Sequence, residues 1–509
     1  MSAMDSLSAM LRGTAAGQPD APALRAPGTT VTWAELARAV EMVAGGLHAL
    51  GVGPGDRIAL ILPNCPQFVI SYFATVRLGA TVVPVNPLLA PAEVVYIAED
   101  SGARAVVAIE PTAPLAQAAA AQCPDLQHVI VSGGNVPEGA IDFAALMAGP
   151  PGDLPGPGAG DDIAALMYTS GTTGRSKGAM LSHTNLVANA QSCVDAIRMV
   201  PDDIFLTVLP LFHSFGATVC MITPVAVGAT SVLLPRFDAL PVLQAIEAER
   251  VTLFAGVPSM FAWLTALKAE RVPDSSSLRL SISGGAPLPT EIIEPFEARY
   301  GSTMLEGYGP TEASPVVSCN RSRDARRIGS VGPPLPGVEV QIQDDEGRQI
   351  PAGDVGEICV RGANVMQGYW HAPEQTAETM RAGWLLTGDL GRVDDQGYIY
   401  IVDRKKDLII VGGLNVYPRE VENVLRELPE VRDCAAIGVK SAMQGERVKA
   451  FVELHEGHGL DEERALTHCH ERLARYKVPR RIEVIATLPR SATGKVLKRE
   501  LRARESGSA

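Results

Sequence analysis

The sequence predicts an α/β protein: a large N-terminal domain of parallel-rich βαβ subdomains, residues 1–403, then a small α+β C-terminal domain, residues 404–509. Three observations lead there. Apolar runs of roughly five residues alternate with helical patterns of roughly twelve, the rhythm of parallel strands joined by crossover helices. The length suits roughly three structural units. Five consecutive charged residues, Asp403-Arg404-Lys405-Lys406-Asp407, separate two apolar strands as an exposed hinge would.

The elements follow in order. Residues 32–50 carry Leu36, Val40, Val43 and Leu47 at helical spacing. Residues 57–62, 81–85 and 104–109 read as strands, and 67–78 as a helix. The Gly/Pro-rich stretch 149–158 is a linker by composition, either a domain divider or an exposed loop. An apolar strand, 163–167, feeds Tyr168-Thr169-Ser170-Gly171-Thr172-Thr173-Gly174-Arg175-Ser176-Lys177-Gly178, and a helical pattern begins near His183. Strand 204–209 ends at Pro210-Leu211-Phe212-His213-Ser214-Phe215-Gly216. Strand 278–283 ends at Gly284-Gly285-Ala286-Pro287, and strand 303–305 at Glu306-Gly307-Tyr308-Gly309-Pro310-Thr311-Glu312. Another apolar run ends in Thr387-Gly388-Asp389. Strands at 398–402 and 408–411 flank the charged run, and Gly412-Gly413 follows. Pro418 opens a helix with Val421, Val424, Leu425 and Leu428 on one face. Strands at 434–439, 447–454 and 482–486, with a helix at 461–475, complete the small domain.

Composition limits the function. The 509 residues are 46% apolar and 20% charged, so the chain is globular. The formal net charge is −13 with no long basic run, which argues against nucleic acid as a partner. None of the eight cysteines forms a Cys-x-x-Cys pair, as in a reducing compartment. Residues 1–17 lack a continuous apolar block, and the charge-free stretch 204–235 is interrupted by Pro224 and Gly228. A cytoplasmic protein without stable membrane insertion is expected. Oligomeric state is not legible in the sequence.

The loop at 168–178 carries the chemistry. Glycines let backbone N–H groups approach an anion, hydroxyls add donors, and Lys177 adds charge, so strand, loop and helix together suit phosphate. It is not a Walker loop, because Gly171 and Gly174 have the wrong spacing and Gly178 follows Lys177. His213, after a Pro at a strand end and flanked by aromatics, suits the lining of an apolar pocket. Gly284 and Gly285 leave an open wall. Glycines on both sides of Tyr308 leave its ring free to stack on a base, and Thr311 and Glu312 suit a phosphate oxygen and Mg²⁺. Asp389, at a turn, suits ribose hydroxyls. Lys495 ends a Thr-Gly turn as a positively charged finger.

Taken in order, the phosphate loop, Pro-Leu-Phe-His, Gly-Tyr-Gly-Pro-Thr-Glu, Thr-Gly-Asp, Asp-Arg-Lys-Lys-Asp and Thr-Gly-Lys resemble the adenylate-forming superfamily of acyl-CoA synthetases, adenylation domains and luciferases. Residues 389–418 look most like bacterial fatty-acyl-CoA synthetases. The resemblance makes 149–158 a loop and the C-terminal domain mobile, with its hinge at Lys406. It implies a ligase using ATP, Mg²⁺ and coenzyme A: a carboxylate attacks the α-phosphate, pyrophosphate leaves, and the thiol then displaces AMP. It implies that Thr169, Ser170, Gly171, Thr172, Thr173, Gly174 and Lys177 hold the outer phosphates. Gly285, Ala286, Pro287, Gly307, Tyr308 and Gly309 would hold the nucleotide, with Thr311 at the α-phosphate. Asp389 and Arg404 would take the ribose, and Glu312 with Thr172 the metal. Lys495 would bridge the two anions in the first step, and Gly412 and Gly413 would meet coenzyme A. His213, Phe215, Gly284, Gly309 and Val316 would line the acyl pocket, making His213, Thr311, Glu312 and Lys495 the expected catalytic set.

His213 stands where amino-acid-activating relatives carry an aspartate, and Glu306-Gly307 where malonate-activating ones carry an arginine. A medium- or long-chain fatty acid is the expected substrate. An aryl, malonyl or other small acid, or transfer of the acyl group to a carrier protein, are the alternatives.

Overall fold

The computed structural model describes residues 6–148, 152–170, 176–268, 272–441, 445–491 and 494–506. It divides into two compact units, residues 1–340 with 360–385, and 341–359 with 386–509. The chain crosses between them three times, each time inside a strand: Val338–Gln343, Gly356–Gly362 and Trp384–Val393.

The first unit holds two large sheets. Among the described residues, the seven-stranded sheet runs Ile141–Asp142, His128–Ser132, Ala105–Ile109, Arg57–Ile61, Thr81–Pro84, Ile163–Ser170, Ser176–Ser182 in space. Every pairing is parallel except the last, a hairpin with Ser170 opposite Ser176. Its strands are continuous Val/Ile/Ala runs because helices cover both faces of a parallel sheet. The eight-stranded sheet has Thr303–Tyr308, Leu280–Ser283, Leu253–Gly256, Ile204–Thr207, Thr230–Leu233 and Pro22–Ala26 parallel, with antiparallel Ser318–Cys319 and Thr29–Thr32 at its edges. Parallel strands end on the same side, so the loops after 207, 256, 283 and 308 share one edge, where such sheets bind ligands.

The second unit is mainly antiparallel. Val431–Ser441 pairs along its length with Gly445–Leu454, and Arg481–Val484 adds in parallel. Helices Pro418–Arg426 and Glu462–Arg472 bury Val421, Val424, Leu425, Ala465 and Cys469 against these strands.

Four expectations need correction. The phosphate loop does not feed a helix directly: strand Ser176–Ser182 intervenes and the helix, His183–Ile197, starts after it. Ala179 and Leu181, buried two residues apart, favour the pleat there. The strand expected at 303–305 runs on to Tyr308, which pairs with Ser318. Asp389 lies within strand Trp384–Val393 rather than at a turn. The charged run is not exposed throughout: Asp403 and Arg404 belong to strand Ile399–Arg404, and Asp403 and Asp407 are buried. The cause is pairing. Asp403 accepts from the backbone N–H groups of Arg404 and Arg419, and Asp407 accepts from Arg502. The stretch 152–162 lies within the first unit, as a loop leading into Ile163–Ser170.

Candidate active site

In the first unit the two sheets contribute adjoining groups. Thr311 opens a short 3-10 turn, Thr311–Ala313, at the end of its sheet. Its hydroxyl lies 2.9 Å from that of Ser214. Ser214 starts helix Ser214–Ala217, which His213 caps: its Nδ1 accepts the Phe215 N–H at 3.3 Å. A neutral His213 in this role carries its proton on Nε2. Glu312 Oε1 accepts from the hydroxyl of Tyr369 at 2.7 Å and lies 3.5 Å from that of Thr169, on the other sheet. The ammonium of Lys177 sits 5.3 Å from the centroid of the Tyr369 ring. Thr169, Lys177, Thr311, Glu312 and His213 are thus brought together through Ser214 and Tyr369. Gly171, Thr172, Thr173 and Gly174 lie outside the described residues, as does the side chain of Ser170.

Close packing explains the glycines. A Cβ on Gly309 would stand 1.7 Å from the Pro315 carbonyl oxygen, and one on Gly284 would meet the Phe215 ring at 3.1 Å. The wall at Gly284 is therefore faced by an aromatic ring rather than open. Gly285 takes φ +78°, which favours glycine, and with Ala286 and Pro287 forms the loop after Leu280–Ser283. Glu306 holds that loop by accepting the Leu288 N–H at 3.1 Å. Val316, like Phe215 and Met260, packs against the apolar cluster that includes Val219 and Val257.

Several positioning groups escaped sequence reasoning. Asn189, fully buried, exchanges two hydrogen bonds with the backbone of Val316, at 2.7 and 3.1 Å. Asn364 donates to the Ala313 carbonyl at 2.9 Å. Asn64 gives its amide to the carbonyls of Thr207, Leu209 and Leu234 and accepts from Leu211, fixing the turn before His213. Asparagine between apolar residues was the available signal, since a buried amide needs partners.

The second unit gathers a separate cluster. Asp389 and Arg404 stand opposite on paired strands, joined Oδ1 to Nε at 3.1 Å. Glu357 ties the first of these strands to the turn after the second, accepting from the Gly388 N–H and from Lys405, each at 3.0 Å. Lys406 lies in the 3-10 turn Lys405–Asp407, where burial and then the Arg404 charge lower its pKa. The turn bearing Lys495 is closed by bonds between Ser491 and Lys495, and its carbonyl at Gly494 accepts from Arg490. Burial and then Arg404 push the Lys495 ammonium down to about 8, against the pull of Asp389. Gly412 and Gly413, exposed and at positive φ, turn the hairpin between Ile409–Val411 and Leu414–Val416.

The model of the AMP-binding enzyme family matches residues 11–370, and that of the AMP-binding enzyme C-terminal domain matches 420–495. The chain belongs to the AMP-binding enzymes. A feruloyl-CoA synthase of Amycolatopsis is 42% identical over 96% of both chains. A long-chain-fatty-acid–CoA ligase of Bacillus subtilis is 36% identical over 97% of this chain and 94% of that one. Among solved structures, the anthranilate CoA ligase AuaEII with anthranoyl-AMP superposes with a TM-score of 0.92 at 31% identity, covering 100% and 99%. ATP-bound MatB of Rhodopseudomonas palustris gives 0.91 at 35%, covering 98% of each.

This AMP-binding enzyme is an AMP-forming acid–CoA ligase that uses ATP, Mg²⁺ and coenzyme A. The carboxylate of Glu312 with the hydroxyl of Thr169 beside it offers hard oxygen donors, the kind Mg²⁺ takes. Among the described residues no helix is long and apolar enough to cross a membrane.

Proposed function

We propose that this ligase activates a planar aromatic acid of the arylpropenoate class. The observation that carries the reading is the Phe215 ring lying against the bare backbone of Gly284, beside His213 at the shared edge of the sheet. A flat ring gains dispersion and an offset-stacking partner there, worth about 0.5–1.5 kcal/mol beyond area burial. A long saturated chain gains dispersion against the ring but no stacking partner. The feruloyl-CoA synthase relative supports the same class. The fatty-acid reading from sequence has the 36% identical Bacillus relative in its favour.

The residues divide the work as follows. Lys177 and the hydroxyl of Thr169 meet the outer phosphates, Tyr308 the adenine, Thr311 the α-phosphate, and Asp389 with Arg404 the ribose. Glu312 would hold Mg²⁺, which when bound neutralises phosphate charge. Lys495 would offset the charge of carboxylate and α-phosphate, two anions that otherwise repel. The carboxylate oxygen forms the new O–P bond and pyrophosphate leaves with the electron pair of the broken one. After rotation about Lys406, the thiol of coenzyme A loses its proton, attacks the carbonyl carbon and expels AMP. Gly412 and Gly413 let the chain approach coenzyme A closely.

Pyrophosphate release is measured with arylpropenoates, benzoates, malonate and saturated acids of eight to sixteen carbons, with and without coenzyme A. An arylpropenoate is expected to give the highest kcat/KM. A saturated acid exceeding it tenfold overturns the aromatic reading, and turnover without coenzyme A but with a carrier protein overturns the ligase assignment of the second step.

A further inference from the structure

Tyr369 is joined to two oppositely charged groups at once. Its hydroxyl donates to Glu312 Oε1 at 2.7 Å, while the Lys177 ammonium lies over its ring, 5.3 Å from the centroid. The residue is held from behind: its own N–H donates to Thr376 Oγ1 at 2.9 Å, and it bridges to Ala179 on the strand that carries Lys177. The next residue ties in as well, with the Trp370 N–H donating to the Gly178 carbonyl at 2.8 Å. The ring is therefore fixed to the same hairpin strand as the lysine.

A lysine and a glutamate brought to one site tend to pair with each other, and such a pair must be broken before either can serve a nucleotide or a metal. Here one side chain occupies both. The electron-rich ring face takes the cation, and the phenolic O–H takes the anion. The two hydroxyls of Tyr369 and Thr169 both address Oε1.

We propose that Tyr369 is a positioning residue of the adenylation site, holding Glu312 oriented for the metal and Lys177 for phosphate while keeping the two from pairing. The proposal rests on the roles given above to Glu312 and Lys177.

The test separates the two halves of the side chain by equilibrium binding. ATP is titrated calorimetrically into the full-length enzyme in EDTA and in saturating Mg²⁺, and the ratio of the two Kd values is the gain due to the metal. Tyr369→Phe keeps the ring and removes the donor. It is expected to cut that ratio about tenfold, the scale of a hydrogen bond to a charged group, with Kd in EDTA changed less than twofold. Tyr369→Leu removes the ring too and is expected to weaken binding in EDTA by about two- to fivefold. Glu312→Gln is the control and is expected to cut the ratio with no change in EDTA. An unchanged ratio in Tyr369→Phe beside a reduced one in Glu312→Gln overturns the proposal alone. An unchanged ratio in Glu312→Gln overturns the Glu312 reading and the proposal with it. A Tyr369→Leu enzyme that binds ATP in EDTA like the wild type overturns the part concerning Lys177.

Discussion

Arg404 and Asp389 are cross-strand partners whose side chains meet, Nε to Oδ1 at 3.1 Å, with the carboxylate almost wholly buried. A buried carboxylate already oriented by a guanidinium is ready to accept two adjacent hydroxyls without rearranging. Asp389→Asn is expected to weaken ATP binding by about 10- to 100-fold, the equivalent of ~1.5–3 kcal/mol for hydrogen bonds to a charged group. Calorimetric titration with ATP reads this directly, and a loss below twofold would remove Asp389 from the nucleotide site.

Lys495 gives the reaction a pH limit. Its ammonium, with a pKa depressed to about 8, is charged below that pH and loses its proton as pH rises through it. The kcat/KM for pyrophosphate release, which reports the free enzyme, is expected to fall above pH 8. In Lys495→Arg the residual activity should show no fall in that range. Lys495→Ala is expected to slow adenylate formation by about 10²–10³ yet still make thioester from supplied acyl-adenylate. Equal loss of both half-reactions would argue against the assignment.

A hinge at Lys406 predicts a split phenotype. Lys406→Pro fixes φ in the turn Lys405–Asp407 and should arrest the rotation between steps. Pyrophosphate release in a single turnover is expected to persist while thioester formation is lost. Full turnover at the wild-type rate would place the hinge elsewhere.

Asn189 is expected to matter through stability as well as activity. In Asn189→Leu the backbone N–H and carbonyl of Val316 lose their buried partner, at a cost on the order of 1–3 kcal/mol for each group left unpaired. Urea denaturation should show a lower midpoint, and the half-saturating acid concentration should rise because Val316 sits in the same apolar cluster as Phe215.

What the sequence made legible follows from range. Helices such as Trp33–Ala49 and Pro418–Arg426, and strands such as Arg57–Ile61, are written in local periodicity, and the structure has them within a residue or two of expectation. The burial of Asp403 and Asp407 was not legible, because hydropathy treats five charges as solvated, whereas Arg419 and Arg502 supply their partners from far along the chain. Tyr369 and Asn64 were invisible for the same reason: each acts on groups more than fifty positions away. The return strand Ser176–Ser182 was missed because its glycine and hydroxyls read as a continuing loop.

The threefold passage of the chain between its units carries a consequence for anyone wishing to excise the smaller one. Residues 341–359 reach it before the polypeptide turns back, and they bring Glu357 with them. A recombinant fragment starting at Leu386 would leave the Gly388 amide and the Lys405 ammonium stripped of their shared carboxylate, so dissection by a single cut damages the very piece it sets free.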